Sequence, residues 1–160
     1  MSAALVVRDA TTADIRAILP MVRAICSMHE ALDPQRYAMK SNVVEMYESW
    51  LPQRIADRNS VLLAAELDSK LVGFLVASVE TNIPVYRLDR FGFIHDVWVE
   101  PSARGHGIGK ALAERAVEQF RSMGIKQVRL ETAADNPGAR ALFASCGFRP
   151  ATTEMLRDLA

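Results

Sequence analysis

The chain has 160 residues, half of them hydrophobic and 24% charged, with 19 Lys and Arg balanced by 19 Asp and Glu. That balance excludes the basic footprint of a nucleic-acid binder and the polybasic face of a membrane-surface protein, and no apolar run reaches the length of a membrane span. Two cysteines, Cys26 and Cys146, with no Cys-x-x-Cys pair, fit reduced thiols in a cytoplasmic setting better than a disulfide framework.

The length suits a single domain over residues 1–160 with a core of its own. The first residues, MSAALVVRDATTADI, lack the basic and apolar regions of a signal peptide. Ala4–Val7 reads as a short strand. A helix then opens with Thr11 or Thr12 as its cap and Asp14 in its first turn. Ile15, Ile18, Leu19, Val22 and Ile25 recur at helical spacing to about Ala31, and Pro20 within that pattern predicts a kink or a division. After a break at LeuAspProGln, Ser41–Asp57 reads as a second helix, with Val44, Tyr47, Trp50 or Leu51, and Ile55 on one side.

VLLAAEL, the turn AspSerLys and LVGFLVASVE form a hairpin pattern. Thr81–Arg90 is a polar loop, and FGFIHDVWV is a further strand. Past a glycine-rich turn, Leu112, Ala116, Val117 and Phe120 mark a helix that ends at Gly124, a good C-cap. QVRLET is a strand, AspAsnPro starts a short helix that ends before Gly147, and ThrThrGluMetLeuArgAspLeu predicts a last strand. The order β-α-α-β-β-β-α-β-α-β gives an α/β chain with a mixed sheet, not a strict βαβ alternation.

The turn Arg104–Lys110 holds three alternating glycines, Gly105, Gly107 and Gly109, where a helix begins. Glycine costs about 1 kcal/mol relative to alanine inside a helix, so the crowding needs a reason. A helix N-terminus presents unpaired N–H groups and a partial positive charge that favour an anion. Glycine permits positive φ and close approach of the backbone to a phosphate. Arg104 and Lys110 add cations. A simple tight turn would need one glycine, not three. Walker A fails on spacing, since Ala111 follows Gly109-Lys110 and Arg104 stands five residues before Gly109. The dinucleotide fingerprint GxGxxG fails against Gly-His-Gly-Ile-Gly.

Arg104-Gly-His-Gly107-Ile-Gly109 does match an Arg/Gln-x-x-Gly-x-Gly/Ala signature at a strand-to-helix junction. AsnProGlyAlaArgAlaLeuPheAlaSerCysGlyPhe, from Asn136 to Phe148, is similar to Asn-x-x-Ala-x-x-Leu-Tyr-x-x-x-Gly-Phe. On these two motifs, the paired N-terminal helices, the central hairpin and the ValTrpValGluPro lead-in, the chain resembles the GNAT N-acetyltransferases over nearly its whole length.

The resemblance implies a mostly antiparallel central sheet flanked by helices, with a splayed strand pair that binds acyl-CoA. It implies acetyl-CoA as cosubstrate and no metal. The backbone from Arg104 through Gly105, His106, Gly107, Ile108, Gly109 and Lys110 would hold the pyrophosphate, and Val97, Trp98 and Val99 would pair with the pantetheine arm like an added half-strand. Asn136 matches a cofactor-contacting Asn, with a plain cap role as its alternative. Phe143 stands where relatives carry a tyrosine able to protonate the leaving thiolate. It can pack on pantetheine but donates no proton. Cys146 nearby reads as a small buried hydrophobe.

Acyl transfer to an amine needs a neutral nucleophile. A lysine-like amine is neutral about once in 2,500 at pH 7, a deficit of roughly 4.6 kcal/mol, while a peptide α-amine lacks only about 1 kcal/mol. A base should therefore lie near the thioester. His95, on the strand before the pantetheine residues, is the leading candidate, with a pKa suited to neutral pH. Many members of the resembled family place a glutamate there. Asp96 follows it, on the opposite face by strand alternation. Glu131 on the next strand is the third candidate, acting through water.

Substrate choice falls to the second helix and its flanking loops, which carry His29, Glu30, Asp33, Arg36, Tyr37, Tyr47, Trp50, Tyr86, Arg87, Asp89 and Arg90. Their mixture of signs names no acceptor. The resemblance implies an N-acetyltransferase in which a small or peptidyl primary amine attacks acetyl-CoA directly in a ternary complex. A GNAT-fold acyl-CoA-binding or regulatory module is the rival reading, and a homodimer is among the assemblies the resemblance allows.

Overall fold

The computed structural model describes residues 4–159. Two apolar layers cover one sheet, and the sequence of each strand reflects which layers it meets. β1 (Leu5–Asp9), β2 (Ser60–Leu67), β3 (Lys70–Thr81), β4 (Arg90–Val99) and β5 (Val128–Leu130) lie side by side in that order. The first three pairings are antiparallel, and β5 joins β4 in parallel. β2 and β3 are buried on both faces, which is why they read as continuous apolar runs without alternation. The hairpin between them turns through Asp68 and Ser69, both at positive φ, as a tight two-residue connection requires.

One face carries α1 (Ile15–Leu32) and α2 (Val43–Ala56), packed over Leu62, Ala64, Phe74, Val76 and Trp98. The other carries α3 (Ile108–Ser122), whose Ile108, Leu112, Ala116 and Phe120 cover Leu63, Leu75, Ala77 and Ile94. A short α4 (Pro137–Ser145) follows β5. Arg8 of β1 clamps the α1 entrance through two 2.9 Å hydrogen bonds to the Asp14 carboxylate, and it also pairs with Glu66 of β2. The Arg8 guanidinium holds the Asp14 carboxyl down to about 2.

One expectation is narrowed and one is corrected. Pro20 does not divide α1, which runs unbroken from Ile15 to Leu32. Pro20 lies on the exposed side, where water can satisfy the carbonyl left without its partner. The strand expected from ThrThrGluMetLeuArgAspLeu is absent among the described residues. Pro150 supplies no N–H to a ladder, β5 offers only Val128–Leu130 to pair with, and Glu154 is drawn instead to Arg36.

Gly92 of β4 lies under the Phe120 ring, where an added Cβ would stand 2.7 Å from a ring carbon. Phe120→Ala should cost about 3–5 kcal/mol through the cavity it leaves. Gly92→Ala should cost about 1–3 kcal/mol through overpacking. Urea denaturation of the two variants checks both.

Candidate active site

The ladder between β4 and β5 has three rungs, Gly92 with Val128, Phe93 with Arg129, and Ile94 with Leu130. β4 continues through His95–Val99 while β5 stops, so the sheet opens between them. Val97 and Val99 pack toward α3, and Trp98 is buried under α1 and α2. The side chains of these three residues thus sit in the two cores, while their backbone borders the opening.

At the end of β4, the chain passes through a short turn (Pro101–Ala103) and the glycine loop into α3. Gly105 and Gly107 take φ of +82° and +73°, and a Cβ at either would meet nothing within 4 Å. Their need for glycine is conformational, and the space above them is free. Gly109 differs. Its Cβ would stand 3.1 Å from Leu142, so it is small in order to bring α3 against α4. No side chain caps α3, which leaves the first amides of the helix, Ile108, Gly109 and Lys110, open to a ligand. Such a cradle fits a diphosphate.

Arg104 is less free than the sequence implies. Its Nε donates to the Val99 carbonyl at 2.9 Å, and its guanidinium lies 4.8 Å over the Trp98 ring. The His106 Nδ1 lies 3.1 Å from the Ala103 carbonyl. The Asn136 side chain accepts from the Ala139 N–H at 3.1 Å, so it caps α4 while its amide nitrogen stays available to other partners. Phe143 is buried edge-on to Phe148 at 5.6 Å.

The placement of His95 and Asp96 on opposite faces is corrected. Register shifts between Val76 and Ala77, which face Asp96 and Ile94, so His95 is the extra residue of a β-bulge. Strand alternation fails there, and both side chains turn toward α2. The His95 ring meets Trp50 edge-on at 5.7 Å and Phe93 at 5.2 Å. Asp96 accepts a 2.7 Å hydrogen bond from the Tyr47 hydroxyl. Burial raises the Asp96 carboxyl above the ordinary carboxylate range, with Tyr47, His95 and His29 pulling it back. Burial lowers the His95 imidazole, against the pull of Asp96 and Glu80. Burial pushes the neighbouring Cys26 thiol up to about 11, an unreactive state.

Glu131 stands just past β5 on the far side of the opening, exposed, 3.9 Å from Arg36. Arg36 also holds Glu154 and lies over the Tyr37 ring, which stacks on His29. Two residues that sequence reading misses also reach His95. Ser78 lies 2.6 Å from its Nε2, and Glu80 3.5 Å. The available signal was a serine and a glutamate two apart, hence on one face, in an otherwise apolar strand.

The acetyltransferase (GNAT) family profile matches residues 25–148. The chain is 33% identical over 129 residues to an uncharacterized N-acetyltransferase of Archaeoglobus fulgidus, covering 80% of this chain and 84% of that one. It is 32% identical to a mycothiol acetyltransferase of Sanguibacter keddieii, of which it covers only 40% against 78% of itself. Among solved structures, a predicted acetyltransferase of Clostridium acetobutylicum with acetyl-CoA superposes with a TM-score of 0.75 at 19% identity, covering 98% of this chain and 97% of that one. The chain belongs to the GNAT acetyltransferase family. It is an acetyltransferase.

Tyr47→Phe removes the one hydroxyl that donates to Asp96. The raised carboxyl of Asp96 adds stability that is present below the unfolded value of about 4 and is lost as pH rises through the folded value. Without Tyr47 that folded value climbs further, so the variant should lose about 1–3 kcal/mol near neutrality and less in mild acid. Urea titrations of both proteins across that range test the sign.

Proposed function

We propose that the protein moves the acetyl group of acetyl-CoA onto a primary amine, small or peptidyl, by direct attack with both substrates bound. The observation that carries this reading is the opening in the sheet beyond Ile94 and Leu130, with uncapped amides at one end and a bulged histidine at the other. On this reading the amides from Gly105 to Lys110, with Arg104, hold the diphosphate. The backbone of Val97, Trp98 and Val99 lines the pantetheine arm, Asn136 meets it through its free amide nitrogen, and Phe143 packs against it.

His95 takes the proton of the attacking amine. A lowered imidazole pKa keeps it neutral, and so able to accept, near pH 7. Asp96, next in the strand, stabilises the imidazolium that forms. Glu131 lies across the opening and, with Glu80 and Asp96, gives the acceptor side a negative character suited to a cationic amine. The acceptor N–C bond forms as the thioester C–S bond breaks. No activated nucleophile pair is needed for a covalent step on the protein.

The protein acts as one domain in the cytoplasm, without nucleic acid or membrane. Among the described residues no helix is long and apolar enough to cross a membrane. The exposed Met155, Leu156 and Leu159 of the tail support a homodimer. A binding module without turnover is the second reading, favoured by Phe143 in the place of a proton donor.

Thiol release from acetyl-CoA against a panel of primary amines tests the proposal. His95→Gln should lower kcat by ~10²–10⁴-fold, the scale of a general base, with CoA affinity by calorimetry unchanged. Gly107→Ala should weaken CoA binding instead, because its φ of +73° disfavours any side chain. CoA uptake with no release for any amine would favour the binding module.

A further inference from the structure

We propose that Ser78 and Glu80 of β3 are positioning residues for His95: they fix its proton on Nε2 and leave Nδ1 to accept the proton of the amine. This rests on the reading of His95 as the base. Ser78 Oγ lies 2.7 Å from Glu80 Oε1 and 2.6 Å from His95 Nε2. A serine hydroxyl has one hydrogen and a carboxylate only accepts, so that hydrogen goes to Glu80. The Ser78 oxygen is then an acceptor, and the group it accepts from is the Nε2–H of His95. Glu80 Oε1 itself is 3.5 Å from Nε2, which favours a hydrogen there for the same reason.

The opposite tautomer would leave Ser78 one hydrogen for two acceptors. It would also set the Nε2 lone pair against a carboxylate oxygen. With the hydrogen on Nε2, the free lone pair is on Nδ1, for which no described protein group is a hydrogen-bond partner.

The burial pattern agrees. Ser78 is 4% exposed and is the buried polar residue of the core, at the end of a run that is apolar from Val72 to Ala77. A hydroxyl sunk in a sheet needs partners, and here they are the Glu80 carboxylate and the His95 ring. Trp50 and Phe93 hold the plane of the ring. Three charged groups face it: Glu80 from β3, Asp96 from β4 and Arg54 from α2. The two carboxylates favour the imidazolium that exists after proton transfer, and Arg54 opposes it. The step balances: the amine N–H bond breaks as its nitrogen bonds the acetyl carbon, its proton goes to Nδ1, the thiolate leaves, and Nε2 keeps its hydrogen, donated to Ser78 Oγ.

Only His29, His95 and His106 occur in the chain, so imidazole nitrogen spectra can be assigned with His95→Gln as the reference. Neutral His95 should carry its hydrogen on Nε2 in the native protein and lose that preference in Ser78→Ala, while Ser78→Thr restores it. Ser78→Ala should lower kcat about tenfold, part of the ~10²–10⁴ a general base contributes, with the KM for acetyl-CoA unchanged. Glu80→Gln keeps an acceptor for Ser78 but removes the charge, so the acidic limb of kcat/KM should move to lower pH.

An Nδ1–H tautomer in the native protein, or an acidic limb that stays put in Glu80→Gln, would overturn the relay while His95→Gln still lacked activity. Full activity in His95→Gln would overturn the base itself. The two failures are distinct, since the tautomer is read without turnover.

Discussion

The bulge at His95 is the constraint on which the rest of the site depends. Upstream of it, Ile94 faces α3; downstream, Val97 and Val99 take that face, while Trp98 turns to α1 and α2. In a regular strand Ile94, Asp96 and Trp98 would share one face, because side chains alternate with a period of two. Asp96 would then lie among Leu112, Ala116 and Phe120 with no group to pair with. A buried carboxylate without a partner is among the most costly features a core can hold. One inserted residue removes that conflict. It sends Asp96 to the Tyr47 hydroxyl and leaves His95 at the point where β4 and β5 part.

This requirement also accounts for the character of α2. Only Leu51 of that helix is fully buried, and its apolar face is weakly marked beside that of α1. Tyr47 and Trp50 instead reach the polar end of β4, where one donates to Asp96 and the other walls the His95 ring. A helix that presented only aliphatic side chains there would seal the sheet and leave Asp96 unpaired. Stability is given up locally in α2, and the thick β2–β3 hairpin with its two apolar layers supplies it elsewhere. The cluster of Tyr47, Ser78, Glu80, His95 and Asp96 is thus a polar patch on an apolar face, tolerable because its members satisfy one another.

What the sequence discloses is mostly what short-range chemistry decides. The positive φ at Gly105 and Gly107, the Asp68–Ser69 turn and the Gly124 cap are each set by a few adjacent residues, and each is found where the pattern puts it. The glycine loop and the α4 segment could therefore be read together as a family signature. The bulge could not, because register depends on the partner strand and one extra residue leaves no mark in FGFIHDVWV. Ser78 and His95 are 17 residues apart and meet only through that register. The tail misled because Met155, Leu156 and Leu159 look like strand residues, yet no edge of sufficient length lies beside them. Gly109 misled in another way. Grouped with its neighbours only as part of an anion cradle, it also makes room for Leu142, a packing role that the loop pattern does not disclose.

Phe143 raises the question of what protonates the thiolate. Its ring is buried against Phe148 and carries no group that can donate a proton. A thiol with a pKa near 8.5 leaves as thiolate at a cost of about 2 kcal/mol at pH 7, small beside the barriers enzymes overcome. On the reading proposed for His95, an imidazole that has accepted the amine proton is, by the same act, an acid able to protonate the departing sulfur. A single ring with one nitrogen held by Ser78 and the other free can serve first as acceptor and then as donor. On that reading a phenylalanine at 143 removes a shortcut for the proton rather than the reaction itself, and it raises the demand on His95 to hold one tautomer.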